Sequence, residues 1–134
     1  MSRNIYVVTR NEISPTLFLK ALKNNGLAVV GETSMEGRFY LGRKEQSVWA
    51  YLDNDELQFL EDSMMRRIEE LLDGSPKDCI NIAVSSRNNS ERLAIEIVDY
   101  LLGEFTGILY NFNNRVYSPI DVARIVRDEP EPIL

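Results

Sequence analysis

The sequence predicts a single α+β domain, a mixed β-sheet packed against helices, and three observations predict it. The chain has 134 residues, the length of one hydrophobic core. Its 44% hydrophobic and 27% charged residues place it among soluble globular proteins, away from disordered, coiled-coil and collagen-like chains. The periodicities run β-α-β-β-β-α-β-α-β-β-α, so that runs of strands interrupt the helices where a doubly wound fold would alternate strictly. Residues 1 to 127 are expected to form the domain, and residues 128 to 134 a frayed acidic tail.

The first strand is Ile5 to Thr9, rich in β-branched and aromatic residues. Ser14-Pro15 then supplies an N-cap and a proline at the first helical position, and the helix runs from Pro15 to about Asn24 with Leu17, Phe18, Ala21 and Leu22 on one side. Asn24-Asn25-Gly26 stops it before the apolar run Leu27 to Val30, which makes a β-α-β unit. A hairpin follows. Phe39 and Leu41 alternate with Tyr40, and Val48, Ala50 and Leu52 alternate with Trp49 and Tyr51, across the polar segment Gly42 to Gln46.

Asp53, three residues before Glu56, reads as a capping box opening the longest helix, which extends to Asp73 and stops at Gly74-Ser75-Pro76. Cys79 to Ser85 reads as an inner strand, with Ile80, Ile82 and Val84 on one face and the smaller Asn81, Ala83 and Ser85 on the other. Asn88 and Glu91 form an N-cap and N3 pair for a helix whose stripe of Ala94, Ile97, Val98, Leu101 and Phe105, widened by Leu93, Ile95 and Leu102, predicts the most buried helix. Ile108, Tyr110 and Phe112 lead to a turn at Asn113-Asn114 and the short returning strand Arg115-Val116-Tyr117. Ser118-Pro119, with Asp121 at N3, opens a last helix carrying Val122, Ile125 and Val126.

Charge and composition bound the function. The net charge is −6, which opposes the phosphate-driven attraction behind most nucleic-acid binding. There is no histidine, so Ser-His and Cys-His catalysis and the usual zinc ligand are absent. The single cysteine, Cys79, heads an apolar run and reads as a small buried thiol. The amino-terminal residues enter a strand without the apolar core of a signal peptide, and no apolar run approaches the roughly 20 residues that span a bilayer. A cytoplasmic protein without membrane attachment is expected.

The location of the charge is the most informative feature. Residues 53 to 73 hold eight carboxylates against Arg66 and Arg67, so the whole net charge lies in this segment and the rest of the chain balances. On one continuous helix Leu57, Leu60, Met64, Met65, Ile68, Leu71 and Leu72 would turn inward, while Asp55, Glu56, Asp62, Glu69 and Glu70 would form an outer ridge. Phe59 falls on that polar face, beside Asp62 and Arg66. An exposed aromatic among carboxylates suits a basic partner, the ring supplying affinity and the charges steering encounter. The competing reading is a solvated acidic face with Phe59 tucked under a loop.

Two further features bear on ligand binding. Ser86, Arg87, Asn88, Asn89 and Ser90 lie where a strand meets a helix N-terminus, a place that favours anions, although the glycines of a phosphate loop are missing and plain capping serves as well. Asp53-Asn54-Asp55-Glu56 lacks the glycine and the distal glutamate of a calcium loop. No catalytic constellation, metal site or cofactor is therefore expected. Tyr6, Tyr40, Tyr51, Tyr110, Tyr117 and Trp49 recur on strands; core packing is their default, and sharing one open sheet face would make them a protein-binding surface.

The segment Ile82 to Tyr117, with Ser85-Ser86-Arg87-Asn88-Asn89-Ser90-Glu91-Arg92, the long apolar helix, Gly107-Ile108-Leu109-Tyr110 and Arg115-Val116-Tyr117, resembles the immunity proteins of bacterial polymorphic-toxin systems, including contact-dependent growth inhibition. The resemblance covers about a quarter of the chain and transfers no functional residue. It implies only cytoplasmic neutralisation of a cognate toxin domain by tight binding. A non-enzymatic protein, monomeric or weakly dimeric, is expected. A basic, nuclease-type domain matches the acidic segment. The alternatives are a small-ligand or phosphate sensor or enzyme using the 85–90 loop, and a structural subunit of a larger assembly.

Overall fold

The computed structural model describes residues 2–24, 29–32, 38–43, 46–85, 90–111 and 115–128. Its strands are β1 (Ser2–Thr9), β2 (Val29–Glu32), β3 (Arg38–Arg43), β4 (Gln46–Leu52), β5 (Asp78–Ser85), β6 (Gly107–Asn111) and β7 (Val116–Tyr117). They form one sheet in the order β2-β3-β4-β5-β1-β6-β7. The α+β class and the succession of strands and helices agree with the sequence reading. The sheet itself is antiparallel at every neighbouring pair, where a mixed sheet was expected. Consistently, the β-α-β segment at the start does not pair its two strands: β1 takes β5 and β6 as neighbours, and β2 goes to the far edge.

Three helices cover one face: α1 (Pro15–Asn24), α3 (Ser90–Glu104) and α4 (Pro119–Asp128). Their apolar sides meet Ile5, Val7, Phe39, Leu41, Val48, Ala50, Ile80, Ile82, Val84 and Leu109 in the main core. The local signals for these helices are realised. Leu17 N–H donates to Ser14 Oγ at 3.1 Å at the start of α1. At α4, Asp121 N–H donates to Ser118 Oγ at 3.2 Å and Ser118 N–H to Asp121 Oδ2 at 3.1 Å, a reciprocal capping box. In α3 the residues Leu93, Ala94, Ile95, Ile97, Val98 and Leu101 are all buried, as the wide apolar stripe requires.

The segment after β4 departs from expectation. In place of one helix from 53 to 73 there is a 3₁₀ helix, Asn54–Phe59, an extended Leu60 at φ −73° and ψ 136°, and then α2, Asp62–Leu72. The longest helix is therefore α3. Asp53 caps nothing with its side chain. Its N–H donates to Cys79 O at 2.8 Å and its Oδ2 accepts from Asn81 Nδ2 at 3.4 Å. These ties to β5 hold the chain against the sheet through the first turn, and the extended Leu60 redirects it so that Ile68 and Leu72 of α2 reach Val8, Cys79 and Ile108. Tertiary contact overrides the helical spacing of Leu57, Leu60 and Met64, all of which still pack on this second, smaller core.

Among the described residues, no helix is long and apolar enough to cross a membrane. The turn residues Asn113 and Asn114, Leu27, and the tail from residue 129 lie outside the described residues.

Candidate functional site

Cross-strand pairing decides which side chains share the face opposite the main core. Residues directly opposite each other project to the same side. Arg38 pairs with Tyr51, Tyr51 with Asn81, Asn81 with Tyr6, and Tyr6 with Tyr110, so one row crosses β3, β4, β5, β1 and β6. The adjoining row joins Tyr40, Trp49, Ala83 and Asn4. Five of the six strand aromatics singled out in the sequence thus lie on one face, whereas Tyr117 turns into the main core.

These rings touch one another. Tyr40 and Trp49 lie with centroids 4.9 Å apart, and Tyr6 and Tyr110 with centroids 5.9 Å apart. The Arg38 guanidinium sits 4.4 Å from the centre of the Tyr51 ring, within cation–π range. The 3₁₀ helix packs on β5 and α2 on β6, which covers the end of this face around Cys79 and Ile108. On the β3–β4 flank Trp49 remains 40% exposed.

The acidic segment borders this face. Phe59 is 73% exposed. Asp55, Asp62, Arg66 and Glu70 are exposed, and Glu56 and Glu69 are partly exposed. On α2 the spacing of Asp62, Arg66, Glu69 and Glu70 places them on one side, away from Ile68 and Leu72. Among the described residues, none of these carboxylates is in an ion pair, and Arg66 does not close onto Glu70. The outward charge and the exposed ring agree with the sequence reading. Their carrier does not: Asp55, Glu56 and Phe59 stand on the 3₁₀ helix and the others on α2, so the ridge is two short segments joined at Leu60.

Glu56 belongs to both surfaces. Desolvation and the nearby Asp53 carboxylate push its pKa above the usual glutamate value. Its charge in turn reaches the aromatic row. The hydroxyls of Tyr6, Tyr51 and Tyr110 are all raised, first by burial; Glu56 adds to each, Asp53 adds to Tyr51, and Glu61 adds to Tyr110. Cys79, buried below, is raised far above its ordinary thiol value by desolvation and then by Asp53, Glu56 and Asp78. That suits a packing residue and leaves almost no thiolate for nucleophilic work.

Asn81 is the residue that sequence reasoning passed over. It is 2% exposed in the central strand; its Nδ2 donates to Asp53, and its Oδ1 is buried without a hydrogen-bond partner. The available signal was a lone amide inside the apolar run Cys79 to Val84, where burial on both sides demands partners.

The candidate anion-binding loop divides. Ser86, Arg87, Asn88 and Asn89 lie outside the described residues. Ser90 is buried as the first residue of α3, and its Oγ accepts the Ser47 N–H at 2.9 Å, joining the helix start to β4. Compared with known proteins, the chain matches no family model, no curated protein and no solved structure.

Proposed function

We propose that the chain is a protein-binding module that neutralises a basic partner by masking it, in the manner of an immunity protein for a nuclease-type toxin domain. One observation carries this reading: Phe59 stands 73% exposed among carboxylates that make no ion pair among the described residues. An apolar ring held in water gains free energy when a partner covers it. The unpaired charges around it attract a cationic surface and set its register. The Tyr40–Trp49 flank lies on the same side of the sheet, so one partner can cover both. The chain acts by occlusion and needs no catalytic group of its own.

The test is co-expression with a basic, nuclease-type toxin domain, taken from the neighbouring reading frame where that frame encodes one, followed by association and dissociation measurements. Replacing Asp55, Asp62, Glu69 and Glu70 with lysine is expected to slow association by about tenfold or more at low salt, with a smaller effect at physiological salt. Phe59→Ala is expected to speed dissociation about tenfold, the loss of one anchoring ring. Wild-type binding by both variants removes the proposed interface.

A further inference from the structure

We propose that the Tyr6–Tyr110 ring pair, with Glu56 and Glu61 near its hydroxyls and Asn81 on the other side of Tyr6, is a receptor for the guanidinium of an arginine on a basic partner. The inference rests on the reading of the chain as a module for a basic protein, and it names the group recognised at the join between the acidic segment and the sheet.

Four observations support it. The two rings, half-buried at the edge of the second core, lie 5.9 Å apart and are inclined at 33°, and tyrosine π-faces are of the kind that attract cations. Carboxylates stand beside both: Glu56 acts on the hydroxyls of Tyr6 and Tyr110, and Glu61 on that of Tyr110. The neighbouring Asn81, opposite Tyr6 in the register, keeps a buried acceptor, Oδ1, without a donor. Such an acceptor is unfavourable until a donor reaches it, and a guanidinium carries five N–H groups in a planar fork. Finally, the same row already stacks a guanidinium of the chain itself, Arg38 on Tyr51.

A planar cation fits this set better than a compact ammonium, because it can lie on a ring while its edge donates to carboxylate and amide together. An anion is disfavoured by Asp53, bonded to Asn81, and by Glu56 and Glu61, whose charges reach the Tyr110 hydroxyl. Access requires only that the 3₁₀ helix Asn54–Phe59 yield. None of its residues is fully buried, and of its side chains Leu57 packs on the second core, so movement away from β5 has to release Leu57.

The experiment titrates the full chain with Nα-acetyl-arginine amide, and in parallel with the citrulline and lysine counterparts, while recording NMR spectra of the Asn81 side-chain NH₂ and the tyrosine rings. Saturable shifts at Asn81, Tyr6 and Tyr110 with the arginine compound alone are expected, and Glu56→Gln is expected to weaken them about fivefold, the weight of one partly exposed charge contact. Equal response to citrulline or lysine, shifts confined to the carboxylates of α2, or unchanged affinity in Glu56→Gln would overturn the proposal. Because this titration needs no protein partner, its failure leaves the acidic docking reading standing, and loss of co-purification leaves the titration standing.

Discussion

Arg10, just past the end of β1, donates its Nη1 to the carbonyl of Leu72 at 3.1 Å, and so supplies the last turn of α2 with the cation its own sequence lacks. A positive charge there meets the negative end of the helix dipole and satisfies an orphan carbonyl. Arg10→Ala is expected to lower stability by about 1 kcal/mol in urea unfolding. Gly74→Ala should act in the same direction, because its new Cβ would come within 3.0 Å of Arg10 Nε and displace the guanidinium.

The same helix end carries a strained residue. Asp73 adopts φ 54° and ψ 45°, the left-handed conformation that glycine takes without cost, and it places a carboxylate where the helix dipole is already negative. Asp73→Gly is expected to raise stability by about 0.5–1 kcal/mol, read as a higher denaturation midpoint at unchanged slope.

Glu56 gives a pH dependence of definite sign. Its folded pKa is raised above the ordinary 4.5, first by desolvation and then by Asp53, so the folded state holds this proton more tightly than the unfolded chain does. The contribution to stability therefore falls as pH rises from 4.5 through the raised folded value. Glu56→Gln should increase the melting temperature at pH 7, and the gain should vanish below pH 4.5, where both states of the wild type are protonated.

Cys79 is 1% exposed and its thiol is raised far above the ordinary range. The native protein should resist a thiol reagent such as 5,5′-dithiobis(2-nitrobenzoate) at pH 8 and react fully once denatured. Rapid native labelling would show that the 3₁₀ helix and α2 open far more readily than their packing on Val8 and Ile108 implies.

What the sequence reveals depends on how local the cause is. The capping box of Ser118 and Asp121, the cap at Ser14 and the buried stripe of α3 are set within one or two helical turns, and all are readable from spacing. The break at Leu60 is not, because Leu57, Leu60, Met64 and Ile68 keep the spacing of one continuous helix. What interrupts it is the attachment of Asp53 to β5, across more than twenty residues. The exposure of Phe59 was legible and its setting was not. The convergence of Tyr6, Asn81 and Tyr51 was legible only as a condition, since it follows from the register of β1 and β4 on β5.

The position of β1 in the middle of the sheet has a consequence for how the protein is made. This strand leaves the ribosome well before its two neighbours, which are encoded far downstream, with Ser2 opposite Ser85 and Ile5 opposite Asn111. During synthesis its backbone donors and acceptors stay unsatisfied while β3 and β4 can already zip together next door. Until β5 and β6 emerge, the nascent chain thus carries an apolar, adhesive ribbon uncovered, a period in which holdase chaperones have the most to protect.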